Sequence, residues 1–512
     1  DAADAAFAAF NLHGRHEAPA EMRAITLEEL QGVEGLVRRW CAAGRPWASL
    51  GARTRLRAED VNLYHVVDTI IKPATRPSGL SFAEALSDGG PRQPDVFVSH
   101  AWSGGVLEFV AALRRYAADV DADKDRPLPS GHKGGKITFW VCAYCLRQHG
   151  DVHTDAALDD LTCMERVAFR RALDACARTV TVVDAQGSSL ERAWCGFEAF
   201  TALVEKRGMP YDVYTHDRAG NVHSINNGFA ASDRRRTQDK AQRQKTFPKA
   251  VHDVARRFDL EEAKVSREDD KVAILAHVAK RAGGLAKVNA TVRAKFFCAR
   301  LPALLQGPAL LGVEGVAEVR EGLTELKASE LPSLHLDCEG LLFRVEREAP
   351  SDGPRAAEAR AGAVLSALVR HLPQALGELS LQHSYVPAVG DLVADALKQG
   401  RLPDLARLDL RTNLLGAPQA QALALAALSG GPGAPPLVEM VLDDNRLGDE
   451  GVAHIARALG ALPGDRPALK VCLVKTRFGD KGAEALADAL EAGAPVEELD
   501  LDLNDVGPSG AR

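Results

Sequence analysis

Short apolar runs alternate with amphipathic stretches through residues 93–227 of the 512-residue chain. The runs are rich in β-branched and aromatic residues, which predicts buried strands at Asp95–Ser99, Ile137–Ala143, Thr179–Asp184 and Tyr211–Thr215. The stretches between them carry apolar residues at helical spacing. Strands separated by helices predict right-handed βαβ units around a parallel sheet. Ligands bind such sheets beyond the carboxyl ends of the strands.

The stretch Thr179–Lys206 joins a predicted strand, a Gly-Ser turn and an amphipathic helix. Ser189 is the predicted N-cap of that helix. Apolar residues at helical spacing predict one buried stripe, formed by Leu190, Ala193, Trp194, Phe197 and Val204. Glu198 lies roughly 80° from the centre of this stripe, at 100° per residue. The pattern therefore predicts that its carboxylate sits at the edge of the buried face and reaches a cleft without being enclosed.

Helices are predicted on both sides of this α/β segment. In residues 1–92, Thr26 and Glu29 have capping-box spacing before an apolar helical face, and a second helix is predicted at Val61–Ile71, ending before Pro73. The Pro- and Gly-rich stretch that follows predicts a domain boundary. Residues 228–328 are predicted to form a helical connector that begins with a basic run, interpreted as a solvated face.

The last third of the chain, residues 329–512, repeats the pattern L-x-x-L-x-L-x-x-N, with an Ala/Leu-rich helix after each copy. The final position of successive clear copies is held by Ser384, Asn413, Asn445, Thr476 and Asn504. This period predicts an α/β leucine-rich-repeat solenoid resembling the ribonuclease-inhibitor type, with a protein partner on its concave face. The asparagines are predicted to bond turn backbone. The pattern stops before its last helix, so we expect a fragment truncated at its C-terminus.

Composition and charge narrow the class of protein. The net charge of −7 argues against a general nucleic-acid binder. Nine scattered cysteines favour reduced thiols inside a cell. The first ten residues lack the basic region of a signal peptide, and the uncharged stretch 412–438 is interrupted by Pro and Gly, so no membrane span is predicted. We therefore expect a cytoplasmic protein without a membrane partner.

Two motifs in the α/β segment carry a family resemblance. The first strand and its loop read DVFVSHAW (95–102), and the helix after the third strand begins with RAWCGFE (192–198). On these motifs, roughly residues 94–216 resemble a Toll/interleukin-1-receptor (TIR) domain of the microbial-eukaryote type. The resemblance implies a flavodoxin-like parallel sheet and self-association through this domain. The long, His-rich loop after the second strand departs from the usual TIR pattern.

In catalytic TIR domains the glutamate of W-C-x-x-E is essential for cleaving NAD at the nicotinamide–ribose bond, and the resemblance places this role on Glu198. A carboxylate suits the chemistry, because the transition state is oxocarbenium-like. The predicted NAD-binding set is Ser99, His100, Trp102, Ser103 and Trp194. In it, Trp102 would stack on a ring, and the serines and His100 would bond ribose or phosphate. NAD is thus a candidate substrate, and no cofactor is expected.

One further pattern suggests a metal site. Cys142-x-x-Cys145-x-x-x-His149-x-x-x-His153 places four zinc-type ligands within twelve residues. However, Cys142 is expected inside the second strand, where its side chain is needed for the core. A buried cysteine followed by loop histidines is therefore the favoured interpretation, and no metal site is predicted.

These patterns together predict an intracellular signalling or defence-type protein with a TIR-like effector, a helical connector and a repeat array for recognition. Many TIR domains act only in assembly, so a non-enzymatic adaptor is the alternative. The two hypotheses differ in the surroundings of Glu198. An open pocket shared with His100 and Trp102 favours the enzyme, whereas a closed site with the carboxylate paired, for example to Arg192, favours the adaptor.

Overall fold

In the computed structural model the chain divides into two compact units, Asp1–Val292 and Arg293–Arg512. The division falls inside the predicted connector. None of the described helices is long and apolar enough to cross a membrane. The described residues are 10, 12, 16–49, 51–123, 127–149, 163–206, 209–217, 220–225, 246–281, 283–304, 313–338, 340–348, 353–428, 434–463 and 466–511.

A mixed, mainly parallel sheet forms the centre of the first unit. The strands of this unit are β1 (Ile25–Thr26), β2 (Trp47–Ser49), β3 (Ala52–Thr54), β4 (Val96–His100), β5 (Thr138–Trp140), β6 (Arg178–Val183), β7 (Tyr211–His216) and β8 (Val222–Ile225). The central sheet has the order β1-β5-β4-β6-β7-β8, and β2 pairs with β3 separately. Strands β5, β4, β6 and β7 are parallel, whereas β1 and β8 add antiparallel edges. The strand order reverses at β4, which is where doubly wound sheets bind ligands.

Helices cover both faces of this sheet. They are α1 (Leu27–Ala42), α2 (Leu63–Val66, continued by Val67–Ile71 and Lys72–Thr75), α3 (Phe82–Leu86), α4 (Val106–Ala122), α5 (Cys142–Cys145), α6 (Ala168–Ala175), α7 (Ala193–Phe200, continued by Thr201–Glu205), α8 (Lys249–Ala255) and α9 (Glu268–Ala279). Val96 and Val98 pack with α1 and α4 on one face, and Phe97 packs with α6 on the other. Because side chains alternate along a strand, the two faces have separate cores.

The amino-terminal helices confirm one prediction and correct another. The capping box at the start of α1 is present, with Glu29 N donating to Thr26 Oγ1 at 3.1 Å and Thr26 N donating to Glu29 Oε2 at 2.7 Å. The expectation that the second helix ends before Pro73 is wrong, because α2 runs through it to Thr75. A π-helical turn at Val67–Ile71 precedes Pro73. Pro73 thereby falls in the first turn of the last segment, where its missing N–H is tolerated.

Two predicted boundaries after strands also move. The second strand ends at Trp140, and Cys142 begins the short helix α5 instead of lying inside the strand. Ser189 is not the N-cap of α7, since residues Ser188–Glu191 form a 3-10 turn and Arg192 occupies the cap position. The Ser189 hydroxyl instead donates to the carbonyl of Val182 at 3.0 Å, which ties the turn back to β6. In the first case a short helix begins before the predicted end of the strand, and in the second a 3-10 turn delays the start of α7.

The second unit is a parallel sheet whose strands follow chain order. The strands are β9 (Ser333–Asp337), β10 (Glu378–Gln382), β11 (Arg407–Asp409), β12 (Glu439–Val441), β13 (Leu469–Cys472) and β14 (Val496–Asp500). The helices from the end of the first unit onwards are α10 (Gly284–Leu304), α11 (Val313–Ala328), α12 (Leu341–Glu348), α13 (Gly353–Arg370), α14 (Ala388–Lys398), α15 (Ala417–Ala427), α16 (Gly448–Gly460) and α17 (Asp480–Glu491). From β9 onwards, helices alternate with the strands, as the repeat pattern predicts.

The strands of this second sheet are aligned at the repeat positions. Register partners run through the second apolar position of each copy, in the order Leu334, Leu379, Leu408, Met440, Val471 and Leu499. The side chain of Asn445 donates to the carbonyls of Leu442 at 2.7 Å and Leu410 at 3.1 Å, and accepts from Asn413 N at 3.0 Å. The prediction that these asparagines bond turn backbone is therefore confirmed. Each one joins the end of its own strand to the preceding copy.

Candidate functional site

The turn between β6 and α7 positions the RAWCGFE motif at the carboxyl edge of the first sheet. Asp184 Oδ1 accepts hydrogen bonds from Gln186 N at 3.0 Å and Ser188 N at 2.9 Å, which closes the turn. Gly187 has φ +80°, and a Cβ there would lie 3.0 Å from Val254. Both the backbone conformation and the close approach require glycine. The turn that precedes α7 is therefore in close contact with Val254 on α8.

Glu198 is buried on α7, with 5% of its surface exposed. Burial raises the pKa of its carboxyl to about 8, and the neighbouring Ser99 hydroxyl opposes this rise. Ser99 is fully buried. Within the described part of the chain, neither Glu198 Oε2 nor Ser99 Oγ has a hydrogen-bond partner. The structure therefore places together two polar groups that the sequence assigned to one site, and leaves both unsatisfied.

The expectation that Glu198 reaches a cleft from the edge of a buried stripe is wrong, because α7 is covered on more than one side. A Cβ on Gly196 would lie 2.5 Å from Leu260 Cδ1, so a downstream segment rests directly on the helix backbone. Glu198 is also not paired with Arg192, whose guanidinium donates to Ser266 Oγ at 3.3 Å. Neither of the two surroundings considered for Glu198 is present.

His100 lies on the opposite face of the sheet from Ser99. It is 8% exposed, its ring centroid is 5.0 Å from that of Phe109 on α4, and its Nδ1 lies 3.2 Å from the carbonyl oxygen of Val98. Burial lowers the pKa of His100 to about 4, although the bond to Val98 opposes the shift. The imidazole is therefore neutral at physiological pH.

A cleft with about 310 Å³ of empty space, including its open mouth, lies at the carboxyl ends of β4, β6 and β7. Polar and glycine residues that line it include His100, Gly104, Glu108, Asp184, Ser189 and His216. Glu198 is not among the described residues that line this cleft. Two carboxylates and a second histidine at the cleft were missed by sequence reasoning. The available signal was position, because Asp184 directly follows β6 and His216 ends β7, at the carboxyl ends of parallel strands where ligands bind.

Cys195 lies close to both the backbone of His100 and the buried carboxyl. Its thiol lies 3.6 Å from the carbonyl oxygen of His100, one helical turn before Glu198. Burial raises the pKa of the Cys195 thiol, and the nearby Glu198 carboxylate raises it further. The thiol is therefore protonated at neutral pH.

The two tryptophans of the predicted binding set are held by other side chains. Trp102 Nε1 donates to Cys142 Sγ at 3.1 Å, and its ring lies 5.3 Å from that of Tyr64. Trp194 Nε1 donates to Asp270 Oδ2 at 3.0 Å, and its ring stacks on Phe169 at 4.9 Å. Neither ring faces the cleft. Their indole N–H groups are already used.

Ser103 and the cysteine–histidine pattern complete the sequence-predicted positions. Ser103 is exposed in the loop after β4. His149 Nε2 lies 2.9 Å from Thr75 Oγ1, and Cys145 is buried, whereas His153 lies outside the described residues. The described residues contain no group of three or more side chains placed to hold a metal ion.

The second unit presents a row of paired charges along its strands. Glu378 contacts His335 at 3.3 Å and Arg407 at 3.1 Å, and Arg407 also contacts Glu439 at 3.5 Å. Further along, Lys470 contacts Glu498 at 3.0 Å. Apart from His335 and Glu378, the members of each pair are register partners on neighbouring strands. The strand face is therefore polar and partly exposed, and offers charged groups to a partner.

Comparison with protein families finds a match near the end of the second unit. A family model described as a leucine rich repeat matches residues 495–512, which include β14 and the turn after it. This short match supports a leucine-rich repeat at this end of the chain, and such repeats suggest protein binding. No match to a TIR domain is found. No curated protein matches the chain.

Proposed function

We propose that the chain is an intracellular effector protein. Its second unit binds a protein partner through the strand face, and its first unit cleaves NAD at the nicotinamide–ribose bond with Glu198 as the essential carboxylate. The repeat match and the strand-face charges support the binding part. The RAWCGFE motif and the buried pair of Ser99 and Glu198 support the catalytic part. Nine free cysteines among the described residues suit a reducing compartment.

The observation that carries the catalytic part is that Glu198 is buried and that its Oε2 has no hydrogen-bond partner among the described residues. An ionisable group taken out of water without a partner destabilises a fold by several kcal/mol. A leucine at this place would avoid that cost in a pure scaffold. Carboxyls with a pKa raised by desolvation cluster at functional sites, because a group that titrates near neutral pH can exchange protons there.

The proposed reaction breaks the bond between ribose C1′ and the nicotinamide ring nitrogen. The electron pair of that bond returns to the positively charged ring, which leaves as neutral nicotinamide. Water adds to C1′ and loses a proton, giving ADP-ribose. An ionised Glu198 would stabilise the positive charge that develops on the ribose. The buried carboxyl is neutral at pH 7, so the proposal requires an opened state in which contact with water and substrate lowers its pKa.

A non-enzymatic adaptor is the second candidate, and one observation favours it. The cleft at the strand ends is lined by His100 but not, among the described residues, by Glu198. In an adaptor, Glu198 would remain buried in every state and the first unit would serve in assembly only. The two candidates therefore differ in whether Glu198 ever contacts a ligand.

Nicotinamide release from NAD tests the proposal. The full chain is assayed at high protein concentration, to allow self-association, as wild type, Glu198→Gln and the exposed control Glu59→Gln. The proposal predicts release by the wild type and the control, and none by Glu198→Gln. Release that persists in Glu198→Gln contradicts the assignment of the carboxylate. A folded wild-type protein without release would favour the adaptor.

A further inference from the structure

A segment that follows the first sheet covers the helix that carries Glu198. The cover segment, residues 254–281, begins near the end of α8 and includes α9. The cover segment supplies a backbone carbonyl that accepts a hydrogen bond from the first N–H group of α7, in place of a capping side chain. Arg192 at the cap position makes no side-chain capping bond, and Ala193 N donates instead to the carbonyl of Lys264 at 3.0 Å. Lys264 N in turn donates to the carbonyl of Glu191 at 2.6 Å.

The middle of α7 is in direct contact with the same segment. A Cβ on Gly196 would meet Leu260 Cδ1 at 2.5 Å and the ring of Phe258 at 3.2 Å, so any larger residue would force these side chains to move. Trp194 lies two residues before Gly196, and its indole N–H is held by the hydrogen bond to Asp270. Asp270 itself is buried, with 9% of its surface exposed. The cover thus holds the helix backbone and one large side chain.

The carboxyl end of α7 is held by the last turns of the cover. The ring of His277 lies 5.6 Å from that of Phe197 and 6.1 Å from that of Phe200. Its Nε2 lies 3.4 Å from Glu205, which Arg281 also approaches at 3.5 Å. The cover therefore contacts α7 at its beginning, middle and end, along the side that does not face the sheet.

We propose that the cover segment keeps the Glu198 site closed and that its release opens the site. The inference rests on the proposed function of Glu198. Glu198 is enclosed between α7 and the carboxyl end of β4, so a ligand reaches it only if α7 moves away from Ser99. Every contact of the cover opposes that movement. Much of the attachment is polar or depends on one glycine, so it can be weakened without removing the core between α7 and the sheet.

Chemical labelling of Glu198 in the full chain tests the cover without relying on activity. The reagent is a water-soluble carbodiimide with glycine ethyl ester, and labelling is followed by mass spectrometry of the peptide that contains Glu198. Asp270→Ala removes the bond to Trp194, whereas Asp269→Ala removes an exposed neighbour from the same first turn of α9. We expect Asp270→Ala to label about fivefold faster than wild type, the effect of losing one hydrogen bond. Asp269→Ala should label at the wild-type rate.

Trp194→Phe removes the same bond from the other side and replaces Asp270→Ala if that variant fails to fold. The proposal is wrong if Glu198 is labelled at the same rate in the wild type, in Asp269→Ala and in whichever of Asp270→Ala and Trp194→Phe folds. Nicotinamide release separates this outcome from failure of the proposed function. Faster labelling without any release would retain the cover and refute NAD cleavage. If nicotinamide release requires Glu198, but neither this release nor the labelling of Glu198 changes in Asp270→Ala, then NAD cleavage is supported and the role of the cover segment is refuted.

Discussion

Ser99 on β4 and Glu198 on α7 are buried next to each other, and within the described residues neither Ser99 Oγ nor Glu198 Oε2 makes a hydrogen bond. The sequence separates them by almost a hundred residues, and the parallel sheet brings them together because α7 packs against β4. A buried hydroxyl beside an uncharged carboxyl is a weakly solvated pair. The pair therefore has a measurable effect on stability as well as on reactivity.

Glu198 should make the first unit less stable as pH rises. Its folded pKa of about 8 lies above the ordinary value of 4.5, so the unfolded chain loses this proton first. The stability it contributes is fully present below pH 4.5 and is lost between pH 4.5 and 8, by roughly 3–5 kcal/mol in all. Glu198→Gln should remove this slope. The measurement is urea unfolding followed by tryptophan fluorescence, because all five tryptophans lie in the first unit.

The control for that experiment is Glu59→Gln, which changes an exposed glutamate of the same unit. It should keep the wild-type slope. Parallel slopes in wild type and Glu198→Gln would show that the carboxyl is already ionised in the folded protein.

His100 should destabilise the first unit at acid pH. Its folded pKa of about 4 lies below the ordinary value of 6.5, so the unfolded chain takes up this proton first as pH falls. Stability present above pH 6.5 is lost between pH 6.5 and 4, by roughly 2–3 kcal/mol. His100→Gln should flatten this part of the fluorescence-detected profile, whereas the exposed His16→Gln should not. An unchanged acid slope in His100→Gln would mean that the imidazole is solvated.

Asn445 should be a main support of the second unit. Asp444 before it has φ +53°, an uncommon backbone conformation that the bonds of the asparagine hold in place. Asn445→Ala leaves buried backbone groups unpaired and should lower the free energy of unfolding by about 3 kcal/mol. Asn504→Ala removes a similar set of bonds at a partly exposed site, so a smaller loss is expected. Hydrogen exchange of peptides from the second unit measures both, and equal losses would contradict the role of burial.

Two helical glycines of the second unit should respond in opposite directions to alanine. A Cβ on Gly322 would lie 2.0 Å from the ring of Phe297, whereas Gly362 has nothing within 4 Å. Gly322→Ala should destabilise by about 1–3 kcal/mol because the buried ring has to move. Gly362→Ala should stabilise by about 0.5–1 kcal/mol, the propensity difference. Thermal unfolding followed by circular dichroism at helix wavelengths provides the comparison, and a change of the same sign in both would refute it.

The sequence predicted elements better than it predicted exposure. The β-branched run at Thr179–Asp184 and the strand Arg178–Val183 differ by one residue, because a run buried on both faces has few alternative structures. The repeat asparagines could be placed because their period fixes both strand and turn. By contrast, β1 is a two-residue edge strand whose partner, β5, follows more than a hundred residues later in the chain.

The burial of Glu198 could not be predicted from the helix that contains it. Helical periodicity describes one stripe, and it leaves open what covers the remaining surface. The covering residues Phe258 and Leu260 come some sixty positions after Glu198. Gly196 was the one local signal, since a glycine inside a helix often marks a close approach of another segment. The hydrogen bond between Trp194 and Asp270 could not be predicted either, because Asp270 also belongs to this distant segment.

The claim on which the proposed function and the cover both rest is that Glu198 is buried as an uncharged carboxylic acid. The infrared difference spectrum between the wild-type chain and Glu198→Gln measures this directly. At pH 6.5 the spectrum should contain the carbonyl band of one protonated carboxylic acid, and that band should give way to carboxylate bands as pH passes about 8. Carboxylate bands already present at pH 6.5, without the protonated band, would contradict the account.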